Sequence, residues 1–245
     1  MMEGTEKLIV IVPMKPLAEG KARLAPALEA DQRAALSLLM LAHVLLNARD
    51  AVSVTETWVI GGDYAVQRLA KAISDRWLPD PGGGLNRTLA QAFAAAFEAG
   101  TTAILYLPGD LPLLTPASID RLVAQSQTLE KAVVTPAERD GGTNALLLPR
   151  GPTFRPLLGP SSFHRHLDAL RADRYQVVIH KSHQIGFDVD TPEDWDQLLK
   201  ARPEMVEILQ QWQATLFALN ALPETSQTGA ASGLNLPPTE PRSQP

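Results

Sequence analysis

A chain of 245 residues, 45% hydrophobic and 20% charged, has the composition of a globular protein, with room for one large α/β domain or two small ones. Its net charge of −5 and pI of about 5.6 argue against a nucleic-acid-coating surface, which needs a basic face, but allow a small phosphorylated ligand held by a local group of cations. The absence of cysteine removes disulfides, thiolate metal sites and cysteine nucleophiles. The N-terminus leads into a short β-run rather than a signal-peptide core, and no apolar run approaches the roughly 20 residues that span a bilayer. A cytoplasmic protein without a membrane partner is the expectation.

Leu8 to Val12 is a β-branched run, the pattern of a buried first strand, closed by Pro13. The stretch Val12-Pro-Met-Lys-Pro-Leu-Ala-Glu-Gly-Lys-Ala-Arg-Leu24 then gathers Lys15, Lys21 and Arg23, and cations collected after a first strand suggest a polyphosphate site. A solvated basic loop would look the same, since neither the Walker pattern nor the Gly-rich dinucleotide fingerprint is present. From Glu29 an Ala- and Leu-rich segment predicts a helix of four or more turns, with His43 packed rather than ligating. Thr57 to Ile60 reads as a strand and Tyr64 to Ile73 as the returning helix, a βαβ rhythm that implies a largely parallel sheet.

Asp80-Pro-Gly-Gly-Gly-Leu-Asn-Arg-Thr88 places Gly84, Leu85 and Asn86 ahead of a helix over Leu89 to Ala99. Glycines let a backbone approach a planar ligand, and the Asn amide can both donate and accept at a base edge, although a plain loop also reads this way. Next comes the run on which the chain is centred, Ala103-Ile-Leu-Tyr-Leu-Pro-Gly-Asp-Leu-Pro-Leu-Leu-Thr-Pro116. It predicts a buried strand that delivers one carboxylate, Asp110, to the carboxyl edge of the sheet, where open α/β folds bind ligands. An ordinary Pro-Gly-Asp turn is the alternative.

After a helix from Thr115 to about Gln127 and a strand over Ala132 to Pro136, Thr143 and Asn144 stand between a diglycine and an apolar strand. Gly159, Ser161 and Ser162 precede a helix start whose amides suit an anion. His164 and His166, two apart, would diverge on a helix and not share a metal. Tyr175 to Ile179 is a further strand. Ile185-Gly-Phe-Asp-Val-Asp-Thr-Pro192 reads as a second acid-bearing strand end, with Asp188 and Asp190 on one face, the geometry for two oxygens on a hard cation. Asp190 alone would also serve as a helix cap. The nucleotide-binding body is expected over residues 1–202, and an amphipathic helix over 203–219 that docks on the body or on a partner chain, which leaves a homodimer open. A disordered tail is expected over 220–245.

These residues resemble the 2-phospholactate guanylyltransferase family of coenzyme F-420 (deazaflavin) biosynthesis, nucleotidyltransferases of glycosyltransferase-A-like fold. The resemblance runs over about residues 8 to 200 and rests on the Val12 to Leu24 pattern, Gly84-Leu-Asn86, Gly109-Asp-Leu-Pro112, Gly142-Thr-Asn-Ala-Leu146, Gly159 with Ser162, Phe163 and His166, and Asp188-Val-Asp-Thr-Pro192. It implies a Rossmann-like, mostly parallel sheet with helices on both faces. It further implies Mg2+ held by Asp110, Asp188 and Asp190, and GTP along the N-terminal loop and Gly84, Leu85 and Asn86. A phosphorylated three-carbon acid would lie around Thr143, Gly159 and Ser162. Lys15, Lys21 and Arg23 would offset the triphosphate. The implied reaction is guanylyl transfer with loss of pyrophosphate, to phosphoenolpyruvate first, 2-phospholactate second and 3-phosphoglycerate third.

Two other classes share such a fold. A metal-dependent glycosyltransferase would show Asp-x-Asp where Asp110 is followed by Leu-Pro, and a silent nucleotide-binding module would have lost acids or cations that are all present here.

Overall fold

The computed structural model describes residues 6–151, 154–221 and 236–239. Strand β1 (Leu8–Met14) sends Leu8, Val10 and Val12 into one apolar core and Ile9 and Ile11 into another. A strand covered on both faces must be apolar throughout, so β1 marks the interior of a two-sided sheet. Its neighbours in chain order are α1 (Ala30–Asp50), β2 (Glu56–Gly61), α2 (Tyr64–Ile73), β3 (Arg76–Leu78), α3 (Leu85–Glu98) and β4 (Ala103–Tyr106). Then follow α4 (Pro116–Ala124), β5 (Ala132–Pro136), β6 (Thr143–Pro149), α5 (Ser162–Ala172), β7 (Val177–Ile179), the one-turn α6 (His183–Gly186), α7 (Pro192–Ala201) and α8 (Met205–Ala221).

The seven strands lie in the order β3-β2-β1-β4-β6-β5-β7. Pairing is parallel except where β6 meets β4 and β5. That exception has a local cause: the Asp140-Gly141-Gly142 turn joins β5 to β6 too tightly for a crossover, so the two can only pair antiparallel. Helices α3 and α5 cover one face with Leu89, Phe93, Leu167 and Leu170, while α1, α2, α4, α7 and α8 build the larger core on the other. The expected mostly parallel α/β sheet with helices on both faces is therefore present.

Arg76 to Leu78 forms an edge strand that no apolar run announced; it is held there by pairing with Trp58 to Ile60. Residues 187–190 are not a strand end: after α6 the backbone is extended but joins no ladder, so Asp188 and Asp190 sit on a free segment anchored by buried Val189 between them.

The apolar stripe of α8, Met205, Ile208, Leu209, Trp212, Leu216 and Leu219, is buried in the same core as α1, so the helix docks on its own chain. The indole of Trp212 donates to Pro238 O at 3.2 Å, and Leu236 packs against the same core. The remainder of the expected tail, 222–235 and 240–245, lies outside the described residues. Among the described residues no helix is long and apolar enough to cross a membrane.

Candidate active site

Three loops converge beyond the carboxyl edge of β1, β4 and β5. The turn after β4 carries Asp110, and the extended segment after α6 carries Asp188 and Asp190; one oxygen from each of the three acids lies within 4.8 Å of the others. Like charges this close oppose one another, and burial adds to the effect. Burial, with the charge of Asp110 next to it, pushes the Asp188 carboxyl up to about 6. Asp190 goes the other way: burial alone would raise it, but the Lys21 ammonium and Arg139 pull it below the ordinary carboxylate value.

Lys21 supplies the counter-charge. Its side chain is only 7% exposed, and the ammonium donates to Asp110 and, at 2.8 Å, to Asp190. Burial disfavours the charged amine, yet the two carboxylates hold its pKa above the usual lysine value. The backbone of Lys21 is left-handed (φ 53), at the junction of two short 3-10 turns, Leu17–Glu19 and Ala22–Leu24. This curls the N-terminal loop over the acids. Arg23 is near enough to favour the charged form of Asp190. Lys15 lines a cavity of about 240 Å³ with Lys21, Leu85, Tyr106, Asp110 and Asp190.

Two further groups hold the acids in place: Arg139, which no sequence pattern singled out, and Asn144. Arg139, at the β5–β6 turn, lies 3.5 Å from Asp190, 3.9 Å from Asp188 and 3.4 Å from Asp194. Asn144 donates to Asp188 at 3.0 Å and to Gly186 O at 3.0 Å. Asp194 accepts from the amides of Asp190 and Thr191 at 3.0 and 2.8 Å, so the cap of α7 also fixes the backbone of an acid in the cluster.

Thr143 and Asn144 are consecutive on β6 and therefore face opposite sides. Asn144 goes to the acids; Thr143 goes to α5, where its hydroxyl meets Ser162 Oγ at 3.1 Å and His166 Nδ1 at 2.9 Å. Gly159 (φ 122) lets the chain turn into this helix, and Ser161 holds a left-handed φ of 54 that glycine would adopt more easily. The amide of Ser162 donates to Gly159 O at 3.0 Å, so Thr143, Gly159 and Ser162 lie together at the start of α5.

In the Gly-rich loop, Gly84 (φ 87) begins α3, and Leu85 reaches the cavity. Asn86 is engaged elsewhere. Its amide nitrogen donates to Leu158 O at 3.1 Å and its oxygen accepts from Leu158 N at 2.7 Å, so both halves are taken by backbone. Asn86 thus ties the α3 loop to the segment before α5, and reading a base edge would require that pair to open. The sign of the remaining field is mixed: three carboxylates at one end, and Lys15, Lys21, Arg23 and Arg139 around them. Such a site can hold an anionic ligand and a hard cation side by side.

The family described as guanylyl transferase CofC like matches residues 8–202. A phosphoenolpyruvate guanylyltransferase of Rubrobacter xylanophilus is 36% identical over 192 residues, 78% of this chain and 93% of the relative. A 3-phospho-D-glycerate guanylyltransferase of Phenylobacterium zucineum is 35% identical over 178 residues, 71% of this chain and 81% of the relative. In fold, the chain is similar to a crystal structure from Desulfovibrio desulfuricans G20 assigned as a nucleotide-diphospho-sugar transferase. The TM-score is 0.65 at 16% identity, covering 88% of this chain and 95% of the other.

Proposed function

Because the chain belongs to the guanylyl transferase CofC like family, we propose that it transfers GMP from GTP to the phosphate of phosphoenolpyruvate, releasing pyrophosphate, as a step of coenzyme F-420 biosynthesis. The observation that supports the reading most is the cluster of Asp110, Asp188 and Asp190 faced by Lys21 at the end of the N-terminal loop. A glycosyltransferase reading has no comparable support, since the relatives by sequence carry guanylyltransferase names.

In this reaction an oxygen of the acceptor phosphate attacks the α-phosphorus of GTP; a P–O bond forms there, and the bond to the β-phosphate bridging oxygen breaks. The nucleophile is already anionic, so no general base is required, and the work of the protein is alignment and charge neutralisation. Lys15, Lys21 and Arg23 offset the charge of the triphosphate and of the departing pyrophosphate. The cavity bounded by the N-terminal loop and Leu85 accommodates the nucleotide, with Gly84 allowing close backbone approach. Thr143, Gly159 and Ser162 hold the acid through the two hydroxyls and the Gly159 amide, the Ser162 amide being taken by Gly159 O. The three carboxylates, all oxygen donors within reach of one point, fit a hard divalent cation such as Mg2+. When bound, that ion neutralises charge developing at the α-phosphate.

All three candidate acceptors pair a phosphate with a carboxylate, so the same anchors serve each. Phosphoenolpyruvate stands first because the resemblance favours it and relatives by sequence carry that name; 2-phospholactate is second and 3-phosphoglycerate third. GTP and such acids belong to the cytoplasm, and the reading carries that location with it. Comparing kcat/KM for the three acceptors with GTP and Mg2+ tests the order. A tenfold preference for either rival would overturn it.

A further inference from the structure

His166 lies outside every role above, yet it is fully buried (0% exposed) and touches two parts of the acceptor corner. Its Nε2 accepts from the backbone amide of Leu157 at 2.9 Å, while its Nδ1 lies 2.9 Å from the Thr143 hydroxyl. The amide can only donate, so Nε2 carries no hydrogen. In the neutral ring the hydrogen is then on Nδ1 and is donated to Thr143 Oγ1. Burial pushes the ring down to about 4, with the Arg165 charge adding to the effect, consistent with a histidine that stays neutral. Phe154, whose ring centroid is 5.9 Å away, closes the other side.

The tautomer of His166 decides what the two hydroxyls can donate. Thr143 and Ser162 own two O–H hydrogens and share one hydrogen bond between them. Because the histidine donates into the pair and takes nothing from it, one hydroxyl hydrogen is left over, whichever way the shared bond runs. That hydrogen is available to an anion. The opposite tautomer would draw a hydrogen from Thr143 and leave the corner one donor poorer. Leu157 also precedes Leu158, which is gripped by Asn86, so the ring is braced against the segment that joins α5 to the Gly-rich loop.

We propose that His166 is a positioning residue: held by the Leu157 amide as the Nδ1–H tautomer, it donates to Thr143 and so orients the Thr143–Ser162 hydroxyl pair as a donor toward an oxygen of the acceptor acid. The proposal rests on the assignment of Thr143 and Ser162 to the acceptor. It concerns an imidazole that neither touches the reacting atoms nor exchanges a proton during turnover.

Nitrogen-resolved NMR of the imidazole in the full chain, between pH 5 and 8, is expected to show Nδ1 protonated and Nε2 bare throughout. A proton on Nε2 overturns the proposal. Two variants divide the ring's functions. His166→Gln places its amide near the Nε2 position, where it still serves Leu157 but no longer donates to Thr143. It is expected to raise the acceptor KM about tenfold or more, the scale of one lost buried hydrogen bond, with the GTP KM within about twofold. His166→Asn keeps an N–H near the Nδ1 position and is expected to hold the acceptor KM within about threefold of wild type. No rise with Gln, or equal rises for both substrates, overturns the proposal. Thr143→Val separates the two levels. An unchanged acceptor KM in that variant defeats the assignment of Thr143 and the role of His166 with it, whereas a rise there with none in His166→Gln defeats the role of His166 alone. If His166→Gln does not fold, the NMR measurement on the wild-type chain still decides.

Discussion

Lys21 Nζ lies 2.8 Å from Asp190 Oδ1, although the two residues stand 169 positions apart in the chain. Their contact draws the N-terminal loop down onto the carboxylates and carries most of the electrostatic balance of the site. A buried ammonium and partly buried acids each lose hydration, and each is more tolerable because the other is present.

Removing the ammonium should therefore expose the repulsion among the acids. Lys21→Met is expected to cost roughly 2 kcal/mol of stability at pH 7 in EDTA. That figure lies below the ~3–5 kcal/mol of breaking a fully buried pair, because Asp190 retains 35% of its side-chain exposure. Part of the loss should return on adding Mg2+, as the ion replaces the missing charge. Urea unfolding with and without Mg2+ checks this; a variant as stable as wild type in EDTA contradicts it.

The two largest shifts that bear on the pH dependence of the cation-free fold oppose one another, and His180, lowered by burial and by Arg121, acts in the same sense as His166. Asp188 is raised to about 6 by burial and by Asp110, so its stabilising contribution is full below the unfolded value and is lost as pH rises through 6. His166 is lowered to about 4 by burial, so its contribution is present above the unfolded value near 6.5 and is lost as pH falls toward 4. Each is worth about 3 kcal/mol at most, and over pH 6 to 4 they largely cancel. Wild type in EDTA is thus expected to have a shallow profile there. Asp188→Asn should lose stability on acidification, and His166→Gln should gain it. Denaturant unfolding at pH 6.5, 5.5 and 4.5 reads these slopes; parallel profiles for all three proteins would refute the assignment.

The same proton competes with a divalent cation. Below pH 6 the affinity for Mg2+ or Mn2+ should fall by up to about tenfold per pH unit, since Asp188 must lose its proton to act as a ligand. Calorimetric titration at pH 5, 6 and 7 in buffers of different ionisation enthalpy would show the released proton. A pH-independent affinity would remove Asp188 from the ligand set.

The C-terminal helix is part of the body by the same physics. Trp212 is 0% exposed against the core that includes α1, and Trp212→Ala is expected to cost about 3 kcal/mol or more, with both KM values little changed in the protein that remains folded. A change in KM with unaltered stability would point instead to a part in the site.

The sheet was legible because β1, β2 and β4 are short apolar runs stopped by Pro or Gly, and because α1 and α8 carry long helical patterns. The edge strand Arg76–Leu78 was not, since its place depends on pairing with β2 rather than on any pattern of its own. Asp110, Asp188 and Asp190 could be picked out as acids ending apolar runs, and the fold brings them together. Arg139 could not: a single arginine before Asp-Gly-Gly looks like any turn, and only the antiparallel return of β6 swings it over the acids. Asn86 illustrates the same limit. Its amide chemistry was visible, but its partner, Leu158, is 72 positions away on another loop.

The proposed reaction is guanylyl transfer at the three carboxylates. Its most direct test is single-turnover conversion of GTP labelled at the α-phosphate, with phosphoenolpyruvate and Mg2+, by wild type and by Asp188→Asn, with ATP run in parallel. Asn144 can still pair with an asparagine at that position, so the variant should keep its fold. Wild type with GTP is expected to release pyrophosphate and form a labelled acceptor adduct, with far weaker reaction with ATP and a loss of ~10²-fold or more in Asp188→Asn. Near-normal turnover in a folded Asp188→Asn protein, or equal efficiency with ATP and GTP, would contradict it.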